Sequence, residues 1–169
     1  MTVDPGTADP TPLQERLTAL EDRVRHLEDH AAIVGLLASY GPLVDAGDLR
    51  AAQVWAEDGR YDVEGWAMGS QADVAAMIAS PAHQGLIATG AVHLLGAPAV
   101  TVDGDTAVAV CHSLLLRHRE GGFEVWRAAA NRIDLVRTGA GWRIAARTTR
   151  PLDGREESRA LLASLPPPV

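Results

Sequence analysis

Two residues in this chain have types that suit proton transfer. Asp45 closes an apolar stretch, Tyr40-Gly-Pro-Leu-Val-Asp45-Ala-Gly-Asp48, and His93 opens another, Ala-Val-His93-Leu-Leu-Gly-Ala-Pro98. An imidazole titrates near neutral pH and can act as a general base. A carboxylate bonded to one ring nitrogen fixes the tautomer and leaves the other nitrogen free to take a proton. Taken singly, each residue also has a structural reading: Asp45 as a helix-end carboxylate in a local cap or turn, His93 as a satisfied histidine among apolar neighbours. Tyr40 lies about 1.4 helical turns before Asp45 and is either a proton donor at the same pocket mouth or a packing residue.

Other chemistries fit less well. His93, His112 and His118 suggest a three-histidine metal site, but the six-residue spacing of the last two along one strand separates them by roughly 20 Å. No metal is therefore expected. Ser113 and Cys111 fall on the strand face opposite His112, with no nucleophile-elbow sequence. A phosphate-cradling glycine loop and a dinucleotide fingerprint are both lacking. His26, His30 and His83 are expected to face solvent.

The elements that must position these residues follow from periodicity. Leu13, Leu17, Leu20, Val24 and Leu27 are spaced 4-3-4-3, an apolar seam on a helix rich in Glu and Arg. It serves either to pack on the domain or to contact another subunit. A second helix is expected over about 31–45, kinked by Pro42. A third covers about 49–55 with Asp48 as N-cap, and a short one covers 71–78 after Ser70. From Val92 onward the period becomes two. Asp103-Gly104, Glu120-Gly121-Gly122 and Gly139-Ala140-Gly141 mark turns. Four long antiparallel strands are expected at about 92–102, 106–118, 123–137 and 142–150, with a shorter edge strand at about 60–66.

Alternation puts Val108, Val110, His112, Leu114, Leu116 and His118 on one face of the second long strand. On the third it groups Val125, Arg127, Ala129, Asn131, Ile133 and Leu135, with Arg132 and Asp134 opposite. An apolar wall with a few polar groups describes a small-molecule pocket, and equally a core with satisfied polar residues. Leu116, Ala129 and Trp66 are candidate wall residues.

Composition bounds the rest. The chain has 169 residues and a hydrophobic fraction of 47%, enough for one domain with its own core. Residues 1–12 and the tail from Leu165 to Val169 are expected to be disordered. The domain is expected over 13–150, and 151–169 should form an extension with a short helix and a Pro-rich tail. The formal net charge is −7, and all fifteen basic residues are Arg. That balance argues against nucleic acid as the main partner. The single Cys111 excludes an internal disulfide and cysteine-rich zinc sites. No apolar run nears the roughly 20 residues of a membrane helix, and the first residues lack a secretory pattern, so a cytoplasmic location without membrane contact is expected.

The order of helical Tyr40 and Asp45, strand-opening His93 before Leu-Leu-Gly-x-Pro, His118, Asn131 and Gly-Trp142-Arg-Ile resembles the SnoaL-like group of the nuclear-transport-factor-2-like superfamily over roughly 13–150. It is similar in particular to scytalone dehydratases and bile-acid 7α-dehydratases. The resemblance implies an α+β fold, a cone-shaped curved sheet wrapped around N-terminal helices. It implies an Asp45–His93 dyad, with His118 and Asn131 matching a second pocket histidine and an asparagine. Tyr40 matches a helical tyrosine, and Arg147 or Arg150 a late arginine. Val44 and Val63 stand where two water-holding tyrosines occur in scytalone dehydratases. The implied activity is a cofactor-free lyase that removes water, or a similar leaving group, from a small hydrophobic cyclic compound. Isomerase, polyketide-type cyclase, epoxide hydrolase and non-catalytic binding are the alternatives. A homo-oligomer, trimer or dimer, is implied too.

Overall fold

The computed structural model describes residues 11–165. The expectation of disordered ends falls on 1–10 and 166–169, outside the described residues. Thr11 and Pro12, expected to belong to the disordered end, instead open the first helix.

Helix α1 (Thr11–Asp45) is continuous, where two helices were expected, and it runs through Pro42 to Asp45. It ends in a Schellman motif. Gly47, at φ +67°, donates to the Val44 carbonyl at 2.9 Å, and Asp48 donates to that of Leu43 at 2.9 Å. This stop sets Asp45 in the last helical turn. The expected third helix is a 3₁₀ segment, Leu49–Val54, capped by the Asp48 side chain, which accepts from the Arg50 amide.

Strand β1 (Trp55–Val63) and strand β2 (Trp66–Met68) form a hairpin through Glu64 and Gly65, both at positive φ. The edge position belongs to β2, and β1 lies inside the sheet. Helix α2 (Gln71–Ala79) is capped by Ser70. Helix α3 (Pro81–Ala88), absent from the sequence expectation, is capped by Ser80 with Pro81 in its first turn.

The expected strand 92–102 is two strands, β3 (Ala91–Leu95) and β4 (Ala99–Asp103). They divide at Gly96-Ala97-Pro98, where the Gly96 amide donates to the His112 carbonyl at 2.9 Å. Both pair with β5 (Thr106–Arg119), which pairs with β6 (Gly122–Thr138), and that with β7 (Gly141–Pro151). The sheet order is β2-β1-β7-β6-β5-β3. Every pairing is antiparallel except β1 with β7, so the sheet is mixed. Helix α4 (Glu156–Ala163) packs against β5, β6 and β7.

The curved sheet holds α1, α2 and the 3₁₀ segment against its inner face. Ile33, Leu37, Val44, Trp55, Ile133 and Ile144 are almost fully buried there. Tyr40, Tyr61 and Met68 of the same core also border a cavity.

Alternation on β5 is the reverse of the sequence expectation. Ala107, Ala109, Cys111 and Leu115 are buried at odd positions, and a bulge follows at Leu115/Leu116. Val110 and Ala130 are also buried, on the back of the sheet where α4 packs. With apolar residues on both faces, period two cannot say which face is inward.

Candidate functional site

The site begins at the end of α1. The Asp45 carboxylate accepts the His93 backbone N–H, at 2.9 Å to Oδ2 and 3.2 Å to Oδ1. Its Oδ1 also lies 2.6 Å from His93 Nδ1. One carboxylate thus holds both the backbone and the ring of the histidine. It sits at the negative end of the helix dipole, so donors from His93 supply the compensation. With Nδ1–H donating to Asp45, Nε2 is the basic nitrogen, and among the described residues nothing bonds it.

Both groups are half-buried, and His93 lines a cavity of about 180 Å³. That is smaller than the roughly 300–1,000 Å³ of drug-sized ligand sites. The wall is mainly apolar: Met68, Met77, Leu86, Leu95, Leu115 and Trp126 contribute to it. Val63 and Trp66 also line it.

Tyr40 also lines the cavity and is buried, its ring edge-on to Trp55 with centroids 5.1 Å apart. Burial, reinforced by Tyr61, pushes its hydroxyl well above the ordinary tyrosine range. The group therefore stays protonated and available as a donor.

Opposite stands Arg147, 4% exposed. Its guanidinium lies 4.8 Å from the Tyr61 ring centroid and 5.2 Å from that of Tyr40. Nε and Nη2 donate to Asn131 Oδ1 at 3.1 and 2.9 Å. Thr149 Oγ1 donates to the same oxygen at 2.8 Å. Asn131 Nδ2 donates to Ser113 Oγ at 2.9 Å and to the Cys111 carbonyl at 3.4 Å. Among the described residues, no carboxylate pairs with Arg147. A buried guanidinium held by neutral acceptors keeps its positive charge for an anionic or strongly polarised group in the cavity.

Several expected site residues lie elsewhere. Asn131 is fully buried behind Arg147 and does not line the cavity. His118 is exposed: its ring stands edge-on to Phe123 at 5.3 Å, and its amide donates to the Gly90 carbonyl. The reversed face of β5 puts Leu115 in the wall and leaves Leu116 out of it, and His112 is exposed on the far side. Val44 and Ala129 are fully buried and outside the cavity lining. Arg150 is engaged by Asp62 at 2.6 Å, so Arg147 is the late arginine that reaches the cavity. His93, His112 and His118 form no cluster, and among the described residues no group of three or more His, Cys, Asp or Glu is placed to hold a metal ion. No described helix is long and apolar enough to cross a membrane.

Among the wall residues that were missed, such as Tyr61, Trp126 and Arg127, one is a histidine. His83, expected in solvent, is buried in the cavity wall, its ring centroid 5.5 Å from that of His93. Neither ring nitrogen has a hydrogen-bond partner. Burial, then the neighbouring His93, holds it below the ordinary histidine range. The Ser80-Pro81 pair, an N-cap followed by a helix-opening proline, is the signal that would have placed it on a helix.

The SnoaL-like domain family matches residues 25–148. No curated protein sequence matches. Among solved structures, a protein of Novosphingobium aromaticivorans described as NTF2-like with a cystatin-like fold is 45% identical, with a TM-score of 0.84 over 93% of this chain and 99% of that one. A Mycobacterium tuberculosis protein of unknown function is 22% identical, with a TM-score of 0.66 over 80% and 90%. A Nostoc punctiforme protein of unknown function with a cystatin-like fold is 14% identical, with a TM-score of 0.60 over 75% and 93%. The last two speak to fold alone.

Proposed function

Because the chain belongs to the SnoaL-like family, which includes cofactor-free isomerases, dehydratases and cyclases, we propose that its cavity performs proton transfer on a small hydrophobic, cyclic compound, ending in loss of water or a similar leaving group. The observation that carries this reading is the 2.6 Å contact between Asp45 Oδ1 and His93 Nδ1 at the wall of an apolar cavity. His93 Nε2 removes a proton from the carbon next to a carbonyl. Arg147 and the Tyr40 hydroxyl stabilise the negative charge that develops on the carbonyl oxygen. The electrons then return to form a carbon–carbon double bond as the β-hydroxyl departs, taking the proton from the His93 imidazolium and leaving as water, which restores the neutral His93. His93, Asp45, Tyr40 and Arg147 are the working groups, and Asn131 positions Arg147.

A non-catalytic assembly domain would have no use for an open cavity, and the Asp45–His93 contact at its wall supports the catalytic reading over simple binding. Isomerisation uses the same first step and differs in where the proton returns.

The test is turnover of a panel of small cyclic β-hydroxy ketones, followed by mass spectrometry. Products lighter by one water support the lyase. Products of unchanged mass replace it with the isomerase. No conversion of any panel member, with His93→Ala binding them as wild type does, overturns the catalytic reading.

A further inference from the structure

The first half of α1 is a surface with no partner in its own chain. Every side chain from Pro12 to Glu28 is exposed. Among them Leu13, Leu17, Leu20, Val24 and Leu27 form a contiguous apolar seam, each at least 47% exposed. The family match starts at residue 25, so most of this seam precedes the shared domain. This half of α1 has no apolar face buried in its own domain, and a stripe of exposed leucines on it marks an interaction site.

The helix meets its own domain through other residues. Asp29, Ile33, Leu37, Tyr40 and Val44 are buried. At 3.6 residues per turn they lie on roughly the opposite side from the seam. The seam continues along the outer side through Ala31, Val34 and Ala38, where the two alanines are exposed and Val34 is half-buried. A second helix can therefore lie along the seam without meeting the domain that α1 carries.

The charges choose the occupant. In heptad terms Leu13, Leu20 and Leu27 are d positions, and Leu17 and Val24 are a positions. Arg16 and Arg23 then fall at g, and Glu21 and Glu28 at e. In a parallel pair each g residue faces the e residue five positions later on the other chain. Arg16 meets the partner's Glu21, and Arg23 meets the partner's Glu28. Symmetry doubles both contacts, and all are attractive. In an antiparallel pair g faces g and e faces e, which sets Arg against Arg and Glu against Glu. Leucine at every d position with β-branched Val24 at a favours two strands. On the outward side, Arg25 is already paired with Asp22 at 2.9 Å.

We propose that residues 13–28 of α1 form a parallel, in-register two-stranded coiled coil with a second copy of this chain, the two domains lying on its outer sides. Sedimentation equilibrium of the full chain should give a concentration-dependent dimer. Leu20→Glu should make it monomeric while leaving the near-ultraviolet circular dichroism unchanged, because the domain does not use Leu20. Arg16→Glu with Arg23→Glu turns every cross-strand pair repulsive and should weaken the dimer on the order of tenfold or more. Leu13→Cys should form an intermolecular disulfide on mild oxidation, since d residues of equal number face each other only in the parallel register. A monomer or trimer for the wild type, a dimer indifferent to Leu20→Glu, or a dimer in which Cys at position 13 does not cross-link would each overturn the proposal.

Discussion

Gly41 and His93 meet backbone to backbone: a Cβ built on Gly41 would collide with the His93 carbonyl oxygen. The missing side chain lets β3 lie directly against α1, and only at that separation does the Asp45 carboxylate span both the amide and the ring of His93. Gly41→Ala should therefore be harmful even though alanine in a helix is otherwise favoured by roughly 0.5–1 kcal/mol. The expected outcome is a lower midpoint of thermal unfolding together with lower kcat. An alanine variant as stable and active as wild type would show that the close approach has no consequence for the dyad.

Asp45→Asn and His93→Ala should each lower kcat by about 10²–10⁴-fold, the usual worth of a positioned acid or base. Asp45→Asn keeps the shape and can still accept the His93 amide. It also lets a side-chain N–H approach Nδ1, which favours the tautomer whose Nε2 carries the proton and cannot act as base. Steady-state kinetics on a turned-over substrate, with nitrogen chemical shifts of the imidazole, would separate loss of base from loss of fold.

Asn131→Ala should act through Arg147. It strips the acceptor from Nε and Nη2 of the arginine and from the Thr149 hydroxyl. Each buried polar group left unpaired costs about 1–3 kcal/mol, so the variant should be destabilised as well as slow. Arg147→Met avoids much of that burial penalty. It should reduce kcat more than it raises KM if the guanidinium acts mainly on charge developing in the reaction. The reverse split would assign it to ground-state binding.

Stability should fall with acid in two stages. His83 is held below its ordinary value of 6.5, first by burial and then by His93. The unfolded chain thus binds a proton more readily, and stability drops as pH falls below about 6.5 towards the folded-state value. Asp29 is held below 3.8, chiefly by the Arg137 guanidinium and also by the Trp142 N–H, with burial opposing them. Its contribution is complete above that unfolded value and is lost as pH falls towards the lower folded one. His83→Phe should flatten the denaturation profile near pH 6 and leave the Asp29 stage intact, as followed by urea midpoints across pH.

Asp45 and His93 were legible as a pair through the family resemblance; their positions at a helix end before Gly47 and at the opening of a strand left a structural reading open for each. Arg147 was legible only as one of two arginines. Alternation around a bulged sheet could not choose between them until Asp62 was seen to occupy Arg150. His118 and Leu116 were misplaced for a related reason. Their strand is apolar on both sides, one facing α1 and its neighbours and the other facing α4, so no pattern of residue types distinguishes inside from outside. His83 was lost because an eight-residue helix between α2 and strand β3 carries too little periodicity. Its buried imidazole comes from tertiary packing that no local pattern encodes.

The cavity is assembled from two kinds of wall, and they will drift at different rates over evolutionary time. Arg147 and its Asn131 and Thr149 support are embedded in the central strands, where replacement costs folding as well as chemistry. Trp66, Met77, Leu86 and Leu94 stand on a three-residue strand, two short helices and the outermost strand β3. Substitutions there reshape the space offered to a ligand and leave Asp45, His93 and Arg147 in place. Descendants of one such chain can diversify in what they accept while keeping how they act. Laboratory selection for a new substrate should find its gains among those four positions first.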